Sequence, residues 1–234
     1  MKAAMDFNFM LTRADQTIED CLEVYDSIRD LGLRHLGFKD IGASTATLRE
    51  LNRRMQSDGA TTYLEVVSID ASRCLESARA AKQIGVHRVL GGVNAEEMLR
   101  ELEGSGIEYL PFPGVPSGHP TRLGGTAASI AQDCSRFATL GCAGVDLLAY
   151  RATAADPLDL VRAARAATPG YLLVAGSVES QAQIAALAEA GANGFTVGSA
   201  AFAGMFAPRR GSLRGQILAI LEMVKALPES SSAP

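Results

Sequence analysis

Two Gly-Ser pairs stand in like settings in this 234-residue chain. Gly176-Ser177 closes the apolar run LLVA, and Gly198-Ser199 closes the run GFTV. A glycine at the end of such a run leaves successive backbone N–H groups bare. With the positive end of a helix behind them, those groups form a cradle for an oxyanion such as phosphate. Plain tight turns are the alternative. Lys39 follows the apolar run HLGF, and Glu65 lies in YLEVV. Period-2 alternation puts Gly37 on the face of Lys39 and turns Asp40 to the other face. If Lys39 and Glu65 share an interior, the amine can form an imine with a keto group while the acid moves a proton. Alternatively the ammonium can stabilise an enolate, or the two can form a purely structural ion pair. Asp146 in GVDLL is either a third charge of this cluster or a solvated strand-end residue.

A second group of candidates lies in segments without regular periodicity. PGVPSGHPTRLGG, residues 113–125, exceeds the usual strand-to-helix link of about 2–6 residues, and its Gly and Pro content suits a lid. In it, His119 is a candidate proton carrier and Arg122 a candidate anion contact; an ordinary solvated loop is the competing reading. Arg13, Tyr150 and Arg151 follow apolar runs and are candidates to face a substrate.

These residues need a frame. Short apolar runs alternate with helix-period segments eight times, with strands expected near 6–12, 33–40, 61–68, 86–92, 107–112, 143–150, 170–176 and 194–198. Helices are expected near 16–31, 45–58, 71–84, 94–104, 126–140, 157–168, 180–190 and 212–227. Gly32, Gly59, Gly85, Gly106, Gly141 and Gly191 stand where helices should end. Ser44, Asp70, Asn94 and Glu179 or Ser180 stand near helix starts. Strict alternation at a repeat of about 29 residues implies parallel strands with right-handed crossovers. The expected fold is α/β, a single-domain, eight-stranded parallel (β/α)8 TIM barrel over 1–228, with a disordered tail at 229–234.

In such a barrel the chemistry sits at the C-terminal ends of the strands. That rule gathers Lys39, Glu65, Asp146, the two Gly-Ser pairs and the Arg13, Tyr150 and Arg151 exits at one mouth. It sends His35 and His87, which open strands, to the stability face. No histidines or cysteines show ligand spacing, so no metal and no cofactor is expected. Cys21, Cys74, Cys134 and Cys142 read as reduced, partly buried thiols.

The composition narrows the partners. A net charge of −4 gives no basic footprint for nucleic acid. No run reaches the length of a membrane span, and the N-terminus lacks a signal-like apolar stretch. A cytoplasmic protein is expected, with a small-molecule partner and a homo-oligomer compatible with the sequence.

VAGSVES and GANGFTVGSAAF, within residues 170–202, resemble the C-terminal quarter of the ribulose-phosphate-binding barrel superfamily. That resemblance implies a phosphorylated small substrate. It leaves the reaction open, because one fold hosts many. The superfamily's biosynthetic isomerases carry an acid or thiol on strand 1, where this chain has Thr12-Arg13. Its epimerase carries metal-binding His and Asp near strand 2, and His35 lies at the opposite end. Its aldolase places an imine-forming Lys on strand 6, which here has none. Its decarboxylase carries an Asp-Lys-Asp array, of which this chain has only Lys39-Asp40, so that Glu65 would have to supply another member; no one subfamily's pattern is met. The expectation is an enzyme acting on a small phosphorylated carbohydrate or keto acid. A lyase of aldolase or decarboxylase type stands first and a sugar-phosphate isomerase or epimerase second. A non-catalytic phosphometabolite-binding barrel is the alternative of another class.

Overall fold

The computed structural model describes residues 5–228, so the tail at 229–234 lies outside the described residues. Eight parallel strands form the barrel: β1 (Asp6–Met10), β2 (His35–Lys39), β3 (Thr61–Val66), β4 (Arg88–Gly91), β5 (Glu108–Leu110), β6 (Gly144–Leu147), β7 (Tyr171–Val174) and β8 (Gly194–Val197). They pair in the order β6-β7-β8-β1-β2-β3-β4-β5. The remaining seam, between β5 and β6, is bridged by two backbone hydrogen bonds. Ala143 N–H donates to Tyr109 O and Asp146 N–H to Pro111 O, each at 3.0 Å. The result is the expected single-domain (β/α)8 barrel, nearly closed.

The outer layer is α1 (Cys21–Ile28), α2 (Thr45–Ser57), α3 (Ala71–Ile84), α4 (Ala95–Leu102), α5 (Ala127–Leu140), α6 (Pro157–Ala167), α7 (Gln181–Glu189) and α8 (Leu213–Lys225), with a one-turn helix Ser199–Phe202 directly after β8. The strands are buried on both faces, which is why GVDL and GFTV lack a polar-out alternation. Ser44, Asp70 and Ser180 cap their helices by accepting from the N–H groups of Thr47, Arg73 and Gln183. Asn94 occupies a cap position with a left-handed backbone and makes no side-chain cap bond. Among the described residues, no helix is long and apolar enough to cross a membrane, and all four cysteines are free thiols.

Two segments differ from the expected layout, and both matter for the site. Residues 12–17, expected as the end of a strand and the start of a helix, form a tight antiparallel hairpin, Thr12–Arg13 against Gln16–Thr17. Its two-residue turn places Ala14 and Asp15 at φ +46° and +61°. The Thr17 hydroxyl donates to the Lys39 carbonyl and accepts from the Lys39 N–H, both at 2.8 Å, so the hairpin is pinned to the end of β2. The expected lid also contains a hairpin, Val115–Ser117 against Arg122–Gly124. Its Leu123 is buried, and Thr153 N–H bonds to Leu123 O at 3.0 Å.

Inside the barrel, Tyr63, Leu90, Leu110 and Leu173 form a small apolar cluster separate from the larger core between sheet and helices. At the N-terminal end the interior is polar. His35 places Nε2 3.2 Å from Asp6 Oδ1 and Nδ1 2.9 Å from the Tyr63 hydroxyl. Tyr171 donates to Asp6 Oδ2 at 2.7 Å, and Arg88 donates to the Tyr63 hydroxyl at 2.9 Å. His87 accepts from Thr62 N–H at 3.0 Å. Both histidines therefore belong to the end opposite the strand C-termini.

Candidate active site

At the C-terminal ends of the strands a cavity of about 120 Å³ opens, smaller than the roughly 300–1,000 Å³ of a drug-sized ligand site. Lys39, Glu65 and Arg151 line it, and so do both Gly-Ser turns. Strand register explains the first contact, because Lys39 and Glu65 are direct cross-strand partners on β2 and β3. Lys39 Nζ donates to Glu65 Oε1 at 2.9 Å. It also donates to Asp15 Oδ1 at 2.9 Å. All three side chains are nearly withdrawn from water, at 6%, 8% and 5% exposure.

Asp15 escaped the sequence reading, and it is the hub of the site. Arg151, following β6, donates from Nη1 to Asp15 Oδ2 and from Nη2 to Asp15 Oδ1, both at 3.0 Å. The second hairpin docks on the same group: Thr121 N–H reaches Asp15 Oδ2 at 3.3 Å, and Arg151 Nη1 reaches the Thr121 carbonyl at 3.3 Å. A left-handed alanine costs roughly 1–2 kcal/mol, so the Ala14-Asp15 turn is a strained device held by these contacts.

The charges follow from the contacts. Burial would pull the Lys39 ammonium down, but Glu65 and Asp15 more than offset it, and the net shift is upward. Lys39 is therefore a cation in the resting site. Burial would raise Asp15, but the Arg151 bond and the Lys39 charge override it and hold the carboxyl well below the usual range. Asp146 lies deeper. It is fully buried on β6, and neither carboxylate oxygen has a hydrogen-bond partner. Burial, reinforced by the Glu65 charge, pushes its carboxyl well above the usual carboxylate range. This corrects the reading of Asp146 as a solvated strand-end residue. Asp40 points outward, as alternation requires, and accepts from Ser77 of α3 and from Val67 N–H.

The Gly-Ser turns form the opposite wall. Gly176 and Ser177 have φ of +76° and +57°, and Gly198 is the N-cap of the turn Ser199–Phe202. No hydrogen bond among the described residues claims the N–H groups of Gly176, Ser177, Gly198 or Ser199. The glycines make room for protein as much as for any ligand. A Cβ at Gly176 would sit 2.3 Å from Arg151 Nε, and one at Gly198 would sit 2.4 Å from Thr12 Oγ1. Thr12 also lines the cavity, as do Thr196 and Glu179, which were not singled out as site residues from sequence.

Four other candidates stand apart from it. His119 and Arg122 are exposed on the second hairpin, at its tip and on its returning strand, and neither lines the cavity. Tyr150 is half-buried in the turn Ala149–Arg151 without reaching the cavity. Arg13 is exposed, with its guanidinium 4.6 Å over the Phe202 ring. Among the described residues, no cluster of His, Cys, Asp or Glu could hold a metal ion.

No protein-family model matches the chain, and no curated protein matches it in sequence. Solved structures share its fold. An orotidine 5'-phosphate decarboxylase from Pyrococcus horikoshii OT3 is 13% identical, with a TM-score of 0.65 over 94% of this chain and 100% of its own. A mutant tryptophan synthase alpha-subunit from the hyperthermophile Pyrococcus furiosus is 16% identical, with a TM-score of 0.61 over 97% of this chain and 98% of its own. A structure described as native KDPGal is 15% identical, with a TM-score of 0.63 over 96% and 98%. At such identities the likeness is one of fold.

Proposed function

We propose that the protein is a lyase acting on a small phosphorylated carbohydrate or keto acid through an enolate held at Lys39. The observation that carries this reading is a single cavity with a doubly paired ammonium on one wall and two turns of free N–H groups on the other. A phosphate fits the second wall, where Gly176, Ser177, Gly198 and Ser199 offer backbone donors and a short helix begins. Loops after the seventh and eighth strands are the frequent phosphate position of this fold. The fold likeness includes a protein whose name carries a 5'-phosphate substrate, which is in keeping with this reading.

With the phosphate so placed, the carbonyl end of a short substrate lies toward Lys39. The Glu65 carboxylate accepts the proton of a β-hydroxyl group. The C–C bond breaks, and its electron pair moves to the carbonyl oxygen, which becomes an enolate beside the ammonium. Protonation at carbon then completes the product. The upward shift of Lys39 favours this electrostatic role over an imine, since an imine needs a neutral amine. An isomerase or epimerase is the second reading, favoured by the presence of two carboxylates on one lysine, which allows a proton to be taken by one and returned by the other.

The test begins with a thermal-shift screen of phosphorylated sugars and keto acids, since a ligand of the folded state raises its stability. Turnover of Lys39→Arg and Lys39→Ala on the compound found then decides the role. For the enolate, Ala loses about 10²–10³-fold while Arg retains part of the activity. Equal inactivity of both, with an adduct trapped by borohydride, rejects the enolate in favour of an imine. Full activity of Lys39→Ala removes Lys39 altogether.

A further inference from the structure

Arg151 uses only part of its guanidinium in the contacts described so far. Its Nη1 and Nη2 edge is committed to Asp15 and the Thr121 carbonyl. Among the described residues no acceptor takes its Nε–H. That free edge lies against Gly176, so closely that a methyl group there would meet Nε at 2.3 Å. The Gly176 and Ser177 N–H groups are unclaimed as well. Arg151 Nε and the two turn N–H groups are thus three neighbouring donors without an acceptor among the described residues, where the first turn lines the cavity.

We propose that Arg151 is a positioning residue that reads the anion at the Gly176–Ser177 turn and transmits its presence, through Asp15, to Lys39. The inference rests on the phosphate reading above and adds a direction of influence to it. An oxyanion on Nε–H and the turn makes one end of a chain of alternating charge. Arg151, Asp15, Lys39 and Glu65 are the following links, with contacts of 3.0, 2.9 and 2.9 Å.

Each link is short and shielded from water, which lets it carry more than an exposed ion pair. The guanidinium is planar, so a partner that fixes one edge fixes the orientation of the other. An anion on Nε therefore sets how Asp15 is held, and Asp15 sets how Lys39 is shared with Glu65. The coupling is reciprocal: whatever shifts Lys39 shifts the affinity for the anion by the same free energy. In this arrangement a phosphate on the substrate does more than anchor it. It orders the cation that the chemistry uses, so an unphosphorylated analogue is disfavoured in turnover as well as in binding.

The chain has four lysines, Lys2, Lys39, Lys82 and Lys225, which makes the test direct. The full chain, labelled with ¹³C at the lysine Cε, is titrated with inorganic phosphate, and affinity is measured by calorimetry. The Lys39 signal is assigned by its loss in Lys39→Arg. In the unsubstituted protein phosphate should bind and move the Lys39 signal. In Arg151→Gln affinity should fall about tenfold, and the Lys39 response at saturation should vanish. Asp15→Asn breaks the chain without touching the anion. It should still bind phosphate, and the Lys39 response at saturation should again vanish. A full response in Asp15→Asn overturns the inference even if Arg151→Gln no longer binds phosphate. Binding to the unsubstituted protein with no Lys39 response overturns the inference and leaves the phosphate site standing. No phosphate binding at the turns overturns both.

Discussion

Asp15 and Arg151, 136 positions apart in sequence, are joined by two hydrogen bonds of 3.0 Å at the mouth of the barrel. The pair ties a hairpin after β1 to the exit of β6, and Lys39 leans on the same carboxylate. Asp15 is thus where strain, burial and charge meet.

Replacing Asp15 with Ala leaves two cations without their shared partner. Removing one member of a buried pair costs about 3–5 kcal/mol, and the lower end is expected because Arg151 keeps 20% exposure. The folded-state pKa of Asp15 is depressed. Its contribution is therefore fully present above the unfolded value of about 3.9 and is lost as pH falls through the folded value. Urea unfolding of both proteins at neutral and acid pH should show the difference shrink in acid. A constant difference would exclude a charge-based role.

Asp146→Asn should stabilise the protein at neutral pH. The folded pKa of Asp146 lies above its unfolded one. Below about pH 3.9 both states are protonated and the group costs nothing. As pH rises past that value the unfolded chain ionises while the buried carboxyl does not, and stability falls. Asn removes this term, so its advantage should appear in denaturant midpoints at pH 7 and disappear below about pH 4. An Asn variant less stable than the parent at pH 7 would show that Asp146 is ionised or has partners.

Gly176→Ala should injure the anion wall before it injures the fold. The new methyl group collides with Arg151 Nε and strains a left-handed backbone. A stability loss of about 1 kcal/mol or somewhat more is expected, together with an about tenfold or greater loss in phosphate affinity. Unchanged affinity in calorimetry would move the anion elsewhere.

His35→Ala tests the opposite end of the barrel. It leaves Asp6 and the Tyr63 hydroxyl short of a partner, at about 1–3 kcal/mol for the unsatisfied groups. Turnover of the folded protein should stay close to that of the parent. A large loss of kcat with stability intact would place chemistry at the wrong end of the strands.

Much of this arrangement was legible in the sequence, for physical reasons. Strand and helix periods differ, and glycines such as Gly85 and Gly141 mark helix ends by the left-handed turn they adopt. Period-2 alternation grouped Lys39 with Gly37 and Glu65 with Tyr63, and the cross-strand register of β2 and β3 then makes the two partners. Asp15 was hidden because its hairpin strands have two residues each, too short for an alternation. Its turn is Ala-Asp, where hairpins of this kind favour Asn-Gly or Asp-Gly. The second hairpin was hidden by composition, since Gly and Pro at 113–125 read as loop. The isolation of Asp146 depends on which neighbours fail to reach it, and no local pattern encodes that.

Five charged side chains line the cavity, Asp15, Glu65 and Glu179 against Lys39 and Arg151, so the mouth carries no net positive charge, and the chain as a whole carries −4. The consequence is kinetic. A phosphorylated ligand approaching from a distance meets a net negative body and no positive far field from the mouth. Attraction begins only when the ligand is close enough to distinguish Lys39 and Arg151 from their partners. Dissolved salt weakens the repulsion at long range and barely touches the short, shielded contacts. Encounter should therefore quicken as ionic strength rises from about 0.01 to 0.15 M, the reverse of a site that steers its ligand electrostatically. Stopped-flow association rates across that range would reveal which regime the mouth obeys, and a steep fall with salt would mean that a basic surface patch guides the ligand in.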